Sequence, residues 1–85
     1  MIACAAAAHA AIRSVARAAD CDERVVATDI LDPDTGPLDR WSLEVTLDPR
    51  AGGCPPALLR EVANRELTVR EVSPQGTYWR VVVTA

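Results

Sequence analysis

The feature that most constrains this chain is a repeated order of one amphipathic helix followed by two strands. Ile12-Arg-Ser-Val-Ala-Arg17 is similar to Leu59-Arg-Glu-Val-Ala-Asn64, and Trp41-Ser-Leu-Glu-Val-Thr-Leu47 to Trp79-Arg-Val-Val-Val-Thr-Ala85. The helical match is offset by 47 residues and the strand match by 38. The difference falls in connections: the first unit has a longer linker around Cys21 and a longer hairpin loop around Asp34. The 85 residues therefore read as a single domain of two αββ units, about 1–48 and 54–85.

Local signals place the elements. Ile2 to about Ala19 predicts a helix, because alanine is the best helix former and Ile2, Ala5, His9, Ile12, Val15, Ala16 and Ala19 recur at three- and four-residue spacing. Arg24 to Ile30 is β-branched, and Trp41 to Leu47 alternates between apolar and polar. The turn formers of residues 31–39 join them as a hairpin. Cys54-Pro55-Pro56 opens a second helix, with proline in the first turn where a missing N–H costs nothing, and Asn64 is its expected left-handed stop. Leu67 to Val72 and Thr77 to Thr84 form a second hairpin around Ser73-Pro74-Gln75-Gly76, which suits a type I turn followed by a bulge.

An αββαββ order is solved by an α+β two-layer sandwich: a four-stranded sheet with both helices on one face. The two tryptophan-bearing strands are the most apolar and should lie in the centre, parallel to one another. Strands carrying Asp29, Arg70 and Glu71 should form charge-guarded edges. This is the layout of a ferredoxin-like sandwich, circularly permuted to begin at its first helix. Strict alternation would then leave Val26, Thr28, Ile30, Ser42, Glu44, Thr46, Thr68, Arg70, Val72, Arg80, Val82 and Thr84 on the open face. That mixture is too apolar for a purely solvated surface and marks Val26, Ile30, Glu44, Arg70, Val72, Arg80 and Val82 as the candidate interaction surface.

Composition narrows the function classes. No run approaches the ~20 apolar residues of a membrane span, and the alanine-rich start lacks the basic and leucine-rich regions of a secretory signal. Three unpatterned cysteines fit reduced thiols and a cytoplasmic location better than a disulfide framework. All nine basic residues are arginine and the net charge is −3, a composition that resembles proteins of salt-loving organisms. In molar salt the Debye length is only ~3 Å, so scattered arginines steer nucleic acid weakly.

The chemistry-bearing residues do not form a recognisable catalytic set. Asp34-Thr35-Gly36 matches the tripeptide of aspartic proteases, but it sits in a hairpin loop before Pro37 and reads as an Asx-type turn. Asp32, Asp34 and Gly36 fail the calcium-loop pattern, with glycine one place early and no glutamate at position twelve. Cys4, His9, Cys21 and Cys54 contain no Cys-x-x-Cys knuckle, so no metal is expected. His9 has no partner acid or nucleophile nearby in sequence and reads as a packed histidine. Cys54, at a helix start, is the cysteine expected to have a lowered pKa.

These readings converge on a non-enzymatic protein-interaction domain without cofactors. It is expected to homodimerise through the open sheet face or edge strands, with Arg70 and Arg80 pairing Glu44 across the interface. Two alternatives follow from other features. A small-ligand sensor would use a pocket shared by the two units, and a nucleic-acid module would use Arg70, Tyr78 and Arg80.

Overall fold

The structure, a computed structural model, describes residues 5–85. The expected helical positions Ile2 and Cys4 lie outside this range. Helix α1 (Ala5–Asp20) is followed by strands β1 (Val25–Leu31) and β2 (Ser42–Leu47), a short 3-10 turn (Pro49–Ala51), helix α2 (Pro56–Asn64), and strands β3 (Thr68–Gln75) and β4 (Tyr78–Thr84). The αββαββ order is as the sequence implies. No helix among the described residues is long and apolar enough to cross a membrane.

The helices form for local reasons and bury a narrow stripe. In α1, Ala8, Ile12, Val15, Ala16 and Ala19 are buried at the spacing of one helical face. Pro56 occupies the first position of α2 and Leu58 and Val62 face the core. The helix ends in a Schellman motif. Glu66 N–H donates to the Ala63 carbonyl at 3.1 Å and Leu67 N–H to the Val62 carbonyl at 3.0 Å. The left-handed residue is Glu66 (φ 59°), not the expected Asn64. The closing leucine places Leu67 beside Val62 in the core.

The sheet has order β1-β2-β4-β3, and every neighbouring pair is antiparallel. The tryptophan-bearing strands are central, but they are antiparallel rather than parallel. Chain direction explains the correction: α2 carries the chain back so that β3 runs parallel to β2, and the tight hairpin then reverses it. β4 enters the gap between β3 and β2 running against both. That hairpin is also tighter than expected. β3 continues through Pro74 and Gln75, Gln75 pairs with Tyr78, and only Gly76 and Thr77 turn the chain. Positive φ at Gly76 alone (63°) fits a type II′ pattern.

One core joins both units: Ile12, Val15, Leu43, Val45, Leu47, Val81 and Val83 are fully buried and pack with Leu58, Val62 and Leu67. The strand similarity noted in the sequence extends to burial, since Leu43 matches Val81 and Val45 matches Val83. The helical similarity extends to burial only in part: Val15 and Val62 are both buried, whereas Ile12 is buried and its counterpart Leu59 is 44% exposed.

Candidate functional site

Cross-strand register decides which residues share a face. Leu43 and Val45 face the helices, and they pair with Ile30 and Thr28 of β1. Ile30 and Thr28 therefore belong to the helix side, contrary to strict alternation. The cause is a bulge: Val25 pairs with Leu47 and Ala27 with the next residue, Thr46, so Val26 is an extra residue that inverts the strand's parity. Thr28 confirms the inversion by donating from Oγ1 to Asp20 Oδ1 at the end of α1, at 3.0 Å.

The other edge carries the same device. Val69 pairs with Val83 and Glu71 with Val82, leaving Arg70 as the extra residue. Val72 then pairs with the core-facing Val81 and joins the helix side, while Glu71 takes the open face. Of the expected interaction residues, Glu44, Arg80 and Val82 thus lie on the open face. Ile30 and Val72 are on the opposite face at its two edges, and Val26 and Arg70 occupy the bulges.

The open face is polar and partly covered. Arg80, on central β4, extends between carboxylates from the strands on either side: its Nε is 3.5 Å from Glu44 Oε2 and 3.8 Å from Glu71 Oε2. The expected pairing of Arg80 with Glu44 is therefore made within one chain, where the two residues are diagonal neighbours on adjacent strands, two positions out of direct register. Glu71 also accepts a hydrogen bond from Ser73 Oγ at 2.9 Å. Among the described residues Arg70 makes no ion pair.

Residues 32–40 are the cover. Asp32 organises this loop, its carboxylate accepting from the backbone N–H of Asp34 (2.8 Å) and of Thr35 (2.7 Å) and from Thr35 Oγ1 (2.9 Å). The Asx turn is thus built on Asp32 rather than Asp34. Those donors, the Thr35 backbone first, hold the Asp32 carboxyl below the usual carboxylate range. Gly36 packs against the Asp32 carbonyl so closely that a Cβ there would stand 2.7 Å from the oxygen. Pro37 and Leu38 then meet Ser42, Glu44, Arg80 and Val82 around a cleft of about 120 Å³. Ser42 and Val82, which line this cleft, and Thr84 beside them are buried on a face that strand alternation alone would leave open.

Ser42 is expected on the open face and Glu71 as an edge charge, but neither they nor Leu38 belong to the interaction surface that the sequence marks. The available signal was Pro37-Leu38, an apolar pair inside a loop otherwise made of turn formers. Ser42 Oγ and Arg80 Nε are the buried side-chain polar atoms without a hydrogen-bond partner among the described residues, and both residues line this cleft.

The remaining candidates separate. His9 stacks on Trp41 with ring centroids 4.0 Å apart and planes 11° from parallel, fixing α1 to the start of β2. Cys54 lies before the helix rather than in its first turn, with Sγ 3.8 Å from the Pro55 carbonyl, and burial raises its thiol pKa. The expectation of a lowered value is overturned because desolvation outweighs the helix terminus at that distance. Among the described residues no group of three or more His, Cys, Asp or Glu side chains is placed to hold a metal ion. Tyr78 is exposed at the hairpin end and Arg80 is occupied by Glu44 and Glu71. No family model matches the chain, and no curated protein or solved structure shows significant similarity to it.

Proposed function

We propose that the chain is a non-enzymatic protein-interaction domain that forms a homodimer by antiparallel pairing of two β1 edges. The observation that carries this reading is the difference between the sheet's two edges. β3 is interrupted by the Arg70 bulge, carries Glu71 and contains Pro74, all features that discourage strand addition. β1 also carries one acidic residue, Asp29, but its bulge lies near its start and Ala27–Leu31 then runs on without proline or further irregularity. Val26 is 55% exposed and Ile30 36% exposed along that edge. Antiparallel pairing of identical strands is self-complementary, so one two-fold axis satisfies both copies.

The open face is a poorer candidate, because Val82 is buried beneath the loop side of the cleft and Arg80 is held within the chain. An interface of paired backbone groups and aliphatic side chains also suits the salt-rich cytoplasm that the all-arginine, acidic composition favours. The strand order is the one a ferredoxin-like sandwich begun at its first helix would have.

Light scattering across concentration, at low and molar salt, tests the proposal. The expected mass is twice the 9.1 kDa of one chain, with the double substitution Val26→Lys and Ile30→Lys returning it to one chain while circular dichroism stays unchanged. A monomer at every concentration, or a dimer indifferent to that double substitution, overturns the assignment.

A further inference from the structure

We propose that the cleft between the 32–40 loop and the sheet binds a small free α-amino acid in its zwitterionic form. The cleft meets the β1 edge only at Leu31, the last residue of that strand. Its chemistry is divided: Leu38 and Val82 are apolar, whereas Arg70, Glu44, Arg80 and Glu71 surround it with charge. Glu44, Arg80 and Glu71 together carry one net negative charge, and Arg70 carries one positive charge without an ion-pair partner among the described residues. The two opposite charges fall on separate elements, the triad across β2, β4 and β3 and the lone guanidinium at the β3 bulge.

A guest that satisfies both must itself be neutral overall and carry separated charges. An α-ammonium group donates to the carboxylates of the triad, and an α-carboxylate accepts from Arg70, for which the planar guanidinium is the better donor. Size sets a limit as well. An engineered cavity of ~150 Å³ holds benzene, so a cleft of about 120 Å³ takes a molecule of roughly six non-hydrogen atoms. Glycine and alanine meet that limit. The Ser42 hydroxyl, buried without a hydrogen-bond partner among the described residues, lines the same cleft, and native proteins seldom leave such capacity unused.

The test is amide chemical-shift titration of the full chain with L-alanine, with acetate and methylammonium as separate half-ligands. Expected are saturable shifts at Leu31, Leu38, Ser42 and Val82 with alanine, and none with either half-ligand at the same concentration. Arg70→Ala, at an exposed bulge, should weaken binding at least about tenfold, as loss of a charged hydrogen-bonding group does. Glu71→Gln should weaken it in the same direction. An absence of saturable shifts, shifts matched by acetate alone, or affinity unchanged in Arg70→Ala each overturns the proposal.

Discussion

Ile30 stands directly across from Leu43, and that pairing places a residue of the β1 edge on the helix side of the sheet. It does so because Val26 is an unpaired extra residue. Deleting Val26 should leave Thr28 and Ile30 on the helix side, because Val25–Leu47 and Ala27–Thr46 are already successive pairs. Inserting one residue between Thr28 and Asp29 should instead move Asp29 opposite the core-facing Leu43 and Ile30 to the other face. A buried, unpaired carboxylate is among the most costly changes a small core can meet. The insertion should lower unfolding stability by more than ~2 kcal/mol in urea titration, whereas Val26→Thr, which keeps the residue and its β-branching, should change it by less than ~0.5 kcal/mol. Equal stability of the insertion variant and wild type would show that the register beyond the bulge is not fixed.

The Glu44–Arg80–Glu71 arrangement predicts a salt-sensitive coupling. All three side chains are about one-third to nearly half exposed, and the separations of 3.5 and 3.8 Å exceed those of strong hydrogen bonds. A double-mutant cycle of Glu44→Gln with Arg80→Gln should therefore return a coupling of only about 0.5 kcal/mol at low salt. In molar salt it should fall toward zero, because screening acts on exposed charges. A coupling that grows with salt would contradict an exposed electrostatic origin.

Much of this architecture was legible because it rests on periodicity. Leu43, Val45 and Leu47 alternate with Glu44 and Thr46, and the stripe from Ile12 to Ala19 recurs with helical spacing, so both follow from which side chains leave water. The bulges were not legible. Val26 is a favourable strand residue and Arg70 an ordinary edge charge, and neither announces itself as unpaired; only the register of the facing strand reveals it. The same limit applies to the loop. Nothing local in Pro37-Leu38 specifies that it lies over Ser42, since that contact depends on where the finished hairpin directs the chain.

Gly36 should prove the most sensitive position of that loop. A Cβ at this residue would stand 2.7 Å from the Asp32 carbonyl oxygen and 3.1 Å from the Leu31 Cβ, and backbone cannot move aside as a flexible side chain does. Gly36→Ala should therefore cost about 1–3 kcal/mol, the range for overpacking a tight site. Its chemical-shift changes should extend from Asp32 through Leu38 to Ser42. A stability loss below ~0.5 kcal/mol would mean that the loop relaxes without resistance.

Three aspartates contribute to the acid limb of stability. Asp22 and Asp48 are held below the usual carboxylate range by hydrogen bonds first from the side chains of Arg24 and Arg50, and Asp32 by the Thr35 backbone. A carboxyl depressed in the folded state contributes stability that is complete above its unfolded pKa of about 3.9, and that contribution is lost as pH falls through the folded value. Urea midpoints should stay flat from neutrality to about pH 5 and then fall below about pH 4. Asp32→Asn retains an acceptor for the Thr35 N–H but does not titrate, so it should make that fall shallower. An unchanged slope in the variant would exclude Asp32 as a contributor.

The two described cysteines should react at very different rates. Cys21 is exposed, whereas Cys54 is partly buried and desolvation raises its pKa, so less of it is thiolate at neutral pH. Because the thiolate is the nucleophile, iodoacetamide at pH 7.5 should modify Cys21 well before Cys54. Urea should abolish the difference by removing the burial that causes it. Peptide mass mapping of a timed reaction distinguishes the sites, and faster labelling of Cys54 in the folded chain would show that its helix-proximal position governs reactivity after all.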